Sequence, residues 1–260
     1  MIRMFFLKKI GITILKINIY KQISMKDIFQ NIIKKKKIGL IIYARMSSKR
    51  FPGKVLKKIY NNLSVCEIII NKLNKTGLKS NIIIATSKNK TDNKIVTFCK
   101  KNKIKYFLGS NKDVFQRTTK CIEKYKFKYF VRICADRPLF DTDLMIRMIK
   151  LILLKNYDIV TNVHPRTYPK GLTCEVAKTN IFEKINLKDL TLNDKEHIFN
   201  YFYRNKNFKI YNIRKKFKKK FLSKNFCIDT KNDVKKIREI LVNFDNSKKE
   251  VNTENLLRYS

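Results

Sequence analysis

No tryptophan occurs in the 260 residues, glycine and proline number only 6 and 4, and acidic side chains number 20 against 60 lysines and arginines. The acid deficit leaves a formal charge of +40. Such a charge raises nucleic-acid or anionic-membrane binding as functions, yet the lysines are spread over the chain rather than gathered on one element. With abundant isoleucine and asparagine beside them, they match what an AT-rich coding sequence produces, and their physical expression is a solvated basic surface. Cysteine pairs of the form C-x-x-C are also absent. None of Cys66, Cys99, Cys121, Cys134, Cys174 and Cys227 groups with His164 or His197 at metal-ligand spacing, so the cysteines are expected to be reduced, mostly buried thiols of a cytoplasmic protein.

Long apolar runs are missing too. In residues 1–37 the apolar residues are interrupted by Lys8, Lys9, Lys16 and Lys21, so no uninterrupted span of about 20 residues is there to cross a bilayer. The same lysines, and the lack of a small-residue cleavage site, argue against a signal peptide. Two readings of this extension stay open: an amphipathic interfacial helix, or an over-called start with Met25 as the alternative first residue. The phosphate-binding loops of common nucleotide folds, Gly-x-x-x-x-Gly-Lys-Ser/Thr and Gly-x-Gly-x-x-Gly, do not occur at the loop described next.

What is present is an apolar content of 44%, ordinary for a globular chain, and a length that suits one α/β domain with a small appendage. Ile38 to Tyr43 is short, β-branched and apolar on successive residues, which predicts a strand buried on both faces. A basic loop follows. Arg45, Arg50 and Lys54 supply three cations, Ser47 and Ser48 supply hydroxyls, and Pro52-Gly53 fixes a turn where backbone approaches a ligand. Such a loop is built to hold an anion, most simply a triphosphate. Helical spacing over Leu63–Leu73, a buried strand over Asn81–Thr86, a helix over Thr91–Lys101 and a strand over Lys103–Leu108 predict parallel strand–helix–strand units. Ser110 or Asn111 is expected to cap the next helix, with Asp113 in its first turn. The strand from Tyr129 ends in Asp136, where Pro138 keeps a helix from starting early. Asp141-Thr-Asp143 should cap a helix to about Leu154, with a strand over Tyr157–Thr161 beyond it. Asn193 and Glu196 have the spacing of a capping box, and the basic run Phe217–Lys224 reads as a solvated hairpin or loop.

The segment Ala-Arg-Met-Ser-Ser-Lys-Arg-Phe-Pro-Gly-Lys-Val-Leu from Ala44 to Leu56 resembles the signature of the sugar cytidylyltransferases, most closely the branch named for spore-coat polysaccharide biosynthesis. Further segments resemble that family in the right order, covering roughly Ile38 to Phe244: Gly109 to Arg117, Ala135 to Leu139, Pro165 to Val176 with Asn193 to Tyr201, and Cys227 to Asp233. The resemblance implies a three-layer α/β/α sandwich with a mostly parallel mixed sheet, of the nucleotide-diphospho-sugar transferase kind. It implies a catalytic domain over 38–245, with 1–37 an unassigned extension and 246–260 a tail.

It also implies roles. Ala44, Arg45, Ser47, Arg50, Lys54, Ser110 and Arg117 would bind CTP, and Arg45, Lys54 and Asp136 would be catalytic. Asp136 and Asp229 would hold Mg²⁺. Arg166, Tyr168, Gly171, Glu175, Glu196 and His197 would meet a sugar or sugar acid. The expected product is a CMP-sugar for surface polysaccharide, made in the cytoplasm with release of pyrophosphate, by a monomer or a homodimer. Two departures stand out: the family's acidic residue falls on Thr173, and Phe199-Asn200 replaces Thr-Pro. A glycosyltransferase using a nucleotide-sugar would share the fold and the metal without releasing pyrophosphate from CTP. A basic nucleic-acid-binding protein would explain the charge, but should interleave aromatics with lysines on one surface and gives no reason for two aspartates at strand ends.

Overall fold

The computed structural model describes residues 31–33 and 35–259. Both readings of the N-terminal extension fall on residues that lie outside the described ones, although Ile32 and Ile33 are buried. The chain runs β1 (Ile38–Tyr43), a two-stranded ribbon of β2 (Lys58–Tyr60) and β3 (Leu63–Ser64), α1 (Val65–Lys75), β4 (Ile82–Ser87), α2 (Asn93–Lys101) and β5 (Lys105–Gly109). It continues through α3 (Val114–Tyr125), β6 (Tyr129–Cys134), α4 (Thr142–Lys155), β7 (Ile159–Thr161), β8 (Glu175–Lys178) and α5 (Asn180–Glu183). Then come α6 (Leu192–Glu196), α7 (Asn200–Arg204), β9 (Ile210–Asn212), α8 (Lys219–Leu222), α9 (Lys231–Asn246) and α10 (Thr253–Tyr259).

Seven strands form one sheet in the order β5-β4-β1-β6-β8-β7-β9. Only β8 runs against its neighbours β6 and β7, and the other pairs are parallel. Alternation along β1 divides the sheet's two faces: Leu40 and Ile42 join a core with α1, α2, α4 and α9, while Ile41 joins a second core with α3, α5 and α7. This is the three-layer α/β/α arrangement. The second core is aromatic: Phe182 lies 5.1 Å from Phe115, 4.9 Å from Phe202 and 5.5 Å from Phe130 between ring centroids. Each such ring, fully buried, contributes about 1.5–3 kcal/mol.

Helix starts follow side-chain caps. Ser64 and Glu67 form a capping box on α1, Thr230 and Asp233 another on α9, and Asp141 caps α4. Two starts differ from expectation. The cap of α3 is Asp113 itself, and Ser110 Oγ accepts from the Asp113 amide one turn earlier. The capping box of α6 is Thr191 with Asp194, not Asn193 with Glu196, and it wins because Asp194 is also gripped by both terminal nitrogens of Arg204. The basic run at 217–224 is not a free loop: Phe217 and Phe221 pack against each other and against Tyr168 and Phe226, while Lys218, Lys219 and Lys220 are exposed. Residues 246–260 were expected as a tail, yet α10 buries Leu256, and Lys72 of α1 donates to the carbonyls of Phe140 and Val251.

Candidate active site

From β1 the chain moves outward through β4 to β5, then crosses back to β6 on the other side of β1. The carboxyl ends of β1 and β6 are therefore the point where the winding reverses, the place where open α/β sheets bind ligands. The two strand ends stay in register, since the Ala135 amide donates to Tyr43 O at 3.0 Å.

Beyond β1 the basic loop closes on itself: Gly53 N donates to Met46 O at 2.9 Å, and Gly53 has φ 73°, a left-handed conformation that costs glycine little. Ala44 is buried beneath the loop, whereas Ser47 and Arg50 are exposed. Asp92, which sequence reasoning did not single out, ties the loop to β4. One of its oxygens accepts from Met46 N at 2.7 Å, and the other accepts from Thr86 Oγ1 at 3.0 Å and from the Ser87 amide and hydroxyl at 3.1 and 2.5 Å. It is fully buried and makes no ion pair among the described residues. A single aspartate in a polar segment offers no signal of this in the sequence.

Lys54 is the centre of the site. Its Nζ donates to Asp136 Oδ2 at 2.8 Å, Ile228 O at 2.6 Å and Asp229 Oδ1 at 3.0 Å. All three ammonium protons are used, so the side chain expected on the phosphates instead joins the two aspartates. Burial works against both charges. Even so, Asp136 and Asp229 hold Lys54 above its ordinary value, and Arg137 and Lys54 hold Asp136 below the usual carboxylate range. Asp229 arrives here because the Ile228 amide donates to Asp136 O at 2.9 Å and Thr230 opens α9 immediately after it. Arg50 pairs with Asp229 at 2.9 Å, and Arg45 reaches Glu196 at 3.7 Å. The remaining oxygen, Asp136 Oδ1, is buried without a hydrogen-bond partner.

The other expected residues divide. Arg117 is 3% exposed and donates through Nη1 to Ser110 O, with its stem packed against Gly109, so it braces the base of α3 and is withdrawn from the cleft. Tyr168 is likewise buried, edge-on to Phe217, and faces the core because its loop folds over α8. Gly171 has φ 92°, and a Cβ there would lie 2.4 Å from the Phe226 carbonyl carbon, so its role is close backbone packing. Glu175 is 2% exposed and accepts from Arg132 Nη1 at 2.6 Å and Tyr203 OH at 2.8 Å. Arg137 Nη1 donates to Thr173 Oγ1 at 2.5 Å and Thr173 O at 3.2 Å. Arg166, Glu196 and His197 are exposed; His197 follows α6 directly. His164 stacks on Tyr203 with centroids 4.6 Å apart.

The sequence profile of the Cytidylyltransferase family matches residues 40–259. The chain is 33% identical over 210 residues to an uncharacterized protein of Methanocaldococcus jannaschii, covering 80% of this chain and 85% of that one. It is 31% identical over 153 residues to the spore coat polysaccharide biosynthesis protein SpsF of Bacillus subtilis, covering 57% and 62%. Among solved structures, a cytidylyltransferase from Leptospira borgpetersenii superposes with a TM-score of 0.71 at 23% identity, over 84% of this chain and 97% of that one. CMP:2-keto-3-deoxy-manno-octonic acid synthetase, solved with CTP, superposes with a TM-score of 0.59 at 12% identity, over 80% and 99%. The profile covers most of the chain, so the chain belongs to the cytidylyltransferase family.

Proposed function

We propose that this enzyme joins CMP from CTP to a sugar or sugar acid, releasing pyrophosphate, in the synthesis of a surface polysaccharide. The observation that carries the reading is the convergence of Asp136 and Asp229 on Lys54 at the switch point, with Arg45 and Arg50 beside them on the loop after β1. In the reaction a sugar hydroxyl oxygen bonds to the α-phosphorus. The bond from that phosphorus to the β-bridging oxygen breaks, pyrophosphate leaves with the electron pair, and the hydroxyl proton passes to solvent. Arg45 and Arg50, on exposed and therefore cheap ion pairs, would exchange their carboxylates for the β- and γ-phosphates and neutralise the departing charge. Lys54 would hold the aspartates in place.

A divalent cation fits these residues. Asp136 Oδ1 is a buried carboxylate oxygen with no donor, and among the described residues no group of three or more His, Cys, Asp or Glu side chains gathers. Two carboxylates suit Mg²⁺, which keeps waters and takes phosphate oxygens rather than an all-protein cage. Asp136 and Asp229 would hold it, where it would screen charge on the α-phosphate. The spore-coat relative supports the polysaccharide role. No helix among the described residues is long and apolar enough to cross a membrane.

The test is pyrophosphate release with Mg²⁺, each of the four nucleoside triphosphates and a panel of sugars and sugar acids. Release with CTP should exceed that with ATP, GTP and UTP by at least tenfold. Equal rates with all four would overturn the reading.

A further inference from the structure

Lysine is spread over the whole chain, but acid is not. No aspartate or glutamate occurs between Glu196 and Asp229, and that stretch holds ten lysines and arginines. The electrostatic field of a surface depends as much on where its acids are missing as on where its cations stand.

Folding gathers the densest part of this stretch on one surface. Arg214, Lys216, Lys218, Lys219 and Lys220 are exposed and make no ion pair among the described residues. Lys215 beside them pairs with Glu254. Phe217 and Phe221 anchor the run from beneath, packed on Tyr168 and Phe226. The basic surface continues past α8. Lys170 bridges Asn225 through the backbone, and Lys236 Nζ donates to Asn225 O at 3.2 Å, so two more exposed lysines adjoin the end of the run. Glu239 is the acid that borders this end, where it lines a small cavity with Lys224 and Lys236. Unpaired cations crowded in this way repel one another, and an anionic partner removes that cost.

The apolar groups among the cations say which partner. Single-stranded nucleic acid stacks its bases on aromatic faces set between cations, and here Phe217 and Phe221 are turned to the core. The apolar side chain left outside is aliphatic: Leu222, 36% exposed, closes α8 directly after the buried Phe221. Lysines around an exposed aliphatic side chain suit the headgroup layer of a bilayer, where cations meet lipid phosphate and the apolar group reaches the acyl boundary. We infer that the surface formed by residues 214–222, with Lys170 and Lys236, docks reversibly on a membrane that carries anionic lipid. This face adjoins the cleft, since Asn212 Nδ2 donates to Pro165 O at 2.9 Å and Thr167 Oγ1 to Ile213 O at 3.4 Å. A chain docked this way holds the loop of Arg166 beside the lipid surface, and salt releases it.

Cosedimentation of the full chain with vesicles tests the inference. One set is phosphatidylcholine alone, and the other is phosphatidylcholine and phosphatidylglycerol in equal parts. The chain should partition at least tenfold more strongly onto the anionic set at low salt, and should be released as KCl rises to about 0.3 M. A formal charge of +40 draws every face of the chain to such vesicles, so the deciding comparison is between two variants of equal charge. One carries Lys218→Glu, Lys219→Glu and Lys220→Glu. The other carries Lys94→Glu, Lys100→Glu and Lys101→Glu, all exposed on α2, which leads into β5 at the sheet edge opposite β9. The first should lose at least tenfold in partitioning and the second less than threefold, with circular dichroism checking that both fold. A single-stranded RNA is titrated against the same proteins as the rival partner. Equal losses in the two variants, neutral vesicles bound as well as anionic ones, or a larger loss of RNA binding than of vesicle binding in the first variant would overturn the inference.

Discussion

Lys54 shows why Asp136, just beyond β6, and Asp229, on an irregular segment rather than at the strand end expected of it, are tolerated together without any added ion. Side by side their charges would repel, and the ammonium between them removes that cost. The sign of the pH dependence follows from the shifts. Asp136 is depressed, so its contribution is present above the ordinary carboxylate value of about 3.9 and is lost as pH falls through its lower folded value. Lys54 is raised, so its contribution is present below about 10.4 and is lost as pH rises past its higher folded value. The cluster therefore stabilises across the whole neutral range. Lys54→Ala should abolish turnover and lower stability at pH 7 by about 3 kcal/mol, since two partly buried carboxylates are left facing each other. Mg²⁺ should restore more stability to that variant than to the parent. A urea series with and without Mg²⁺ checks both, and a variant indifferent to Mg²⁺ would contradict the placement of the metal on this pair. Asp92→Asn replaces an oxygen facing protein donors with an amide that is itself a donor. The expected result is a loss of about 1–3 kcal/mol and a rise in KM for CTP larger than the fall in kcat, because the residue holds the loop and touches no reacting atom.

At the scale of elements, the central strands were legible because β1 and β4, and β6 apart from Arg132, are mostly apolar runs of the kind a doubly covered parallel sheet accommodates. The carboxyl ends of β1 and β6, and with them the Lys54 loop and Asp136, follow from the same reason, whereas Asp229 ends no strand and reaches the cluster through the Ile228 amide on Asp136 O. What could not be read depends on packing between distant segments. Arg117 looks like a ligand residue on a helix start, but the burial of α3 against β5 draws it under Gly109. Thr191 displaces Asn193 as a cap because Arg204, ten residues beyond Asp194, completes the grip. The reversed strand β8 is four residues long and carries no alternation to announce it. Gly171 belongs to this class as well. Lys170 bridges Asn225, and its carbonyl accepts from Phe226 N at 2.8 Å, so the crossing at Gly171 sets the position of the segment that ends in Asp229. Gly171→Ala would add a Cβ 2.4 Å from that backbone at a positive φ. It should lower stability by more than about 1 kcal/mol and reduce kcat by at least tenfold through displacement of Asp229. A thermal melt beside a rate measurement checks this. An alanine variant with parental kcat would show that the crossing does not position the aspartate.

Over the whole molecule the formal charge of +40 outweighs any single surface contact. Exposed ion pairs such as Lys58 with Glu67 contribute about 0–1 kcal/mol each and weaken with salt. Repulsion among the many unpaired lysines acts in the opposite direction, because it destabilises the compact state and salt relieves it. The balance is decided by number, since acids are outnumbered three to one and most cations have no acid to lose. The buried cluster around Lys54 is screened far less than the surface. Raising KCl from 0.01 to 0.3 M shortens the screening length from about 30 Å to below about 8 Å. The melting temperature should therefore rise with salt, the reverse of what a protein held by surface ion pairs shows. The same surface field draws anions towards the cleft, so the association rate of CTP should fall over the same range. Chloride is the anion to use, since phosphate or sulfate would compete for Arg45 and Arg50. A melting temperature that falls with KCl would mean that local pairs outweigh the net charge. A CTP association rate independent of KCl would mean that the basic surface plays no part in delivering the nucleotide.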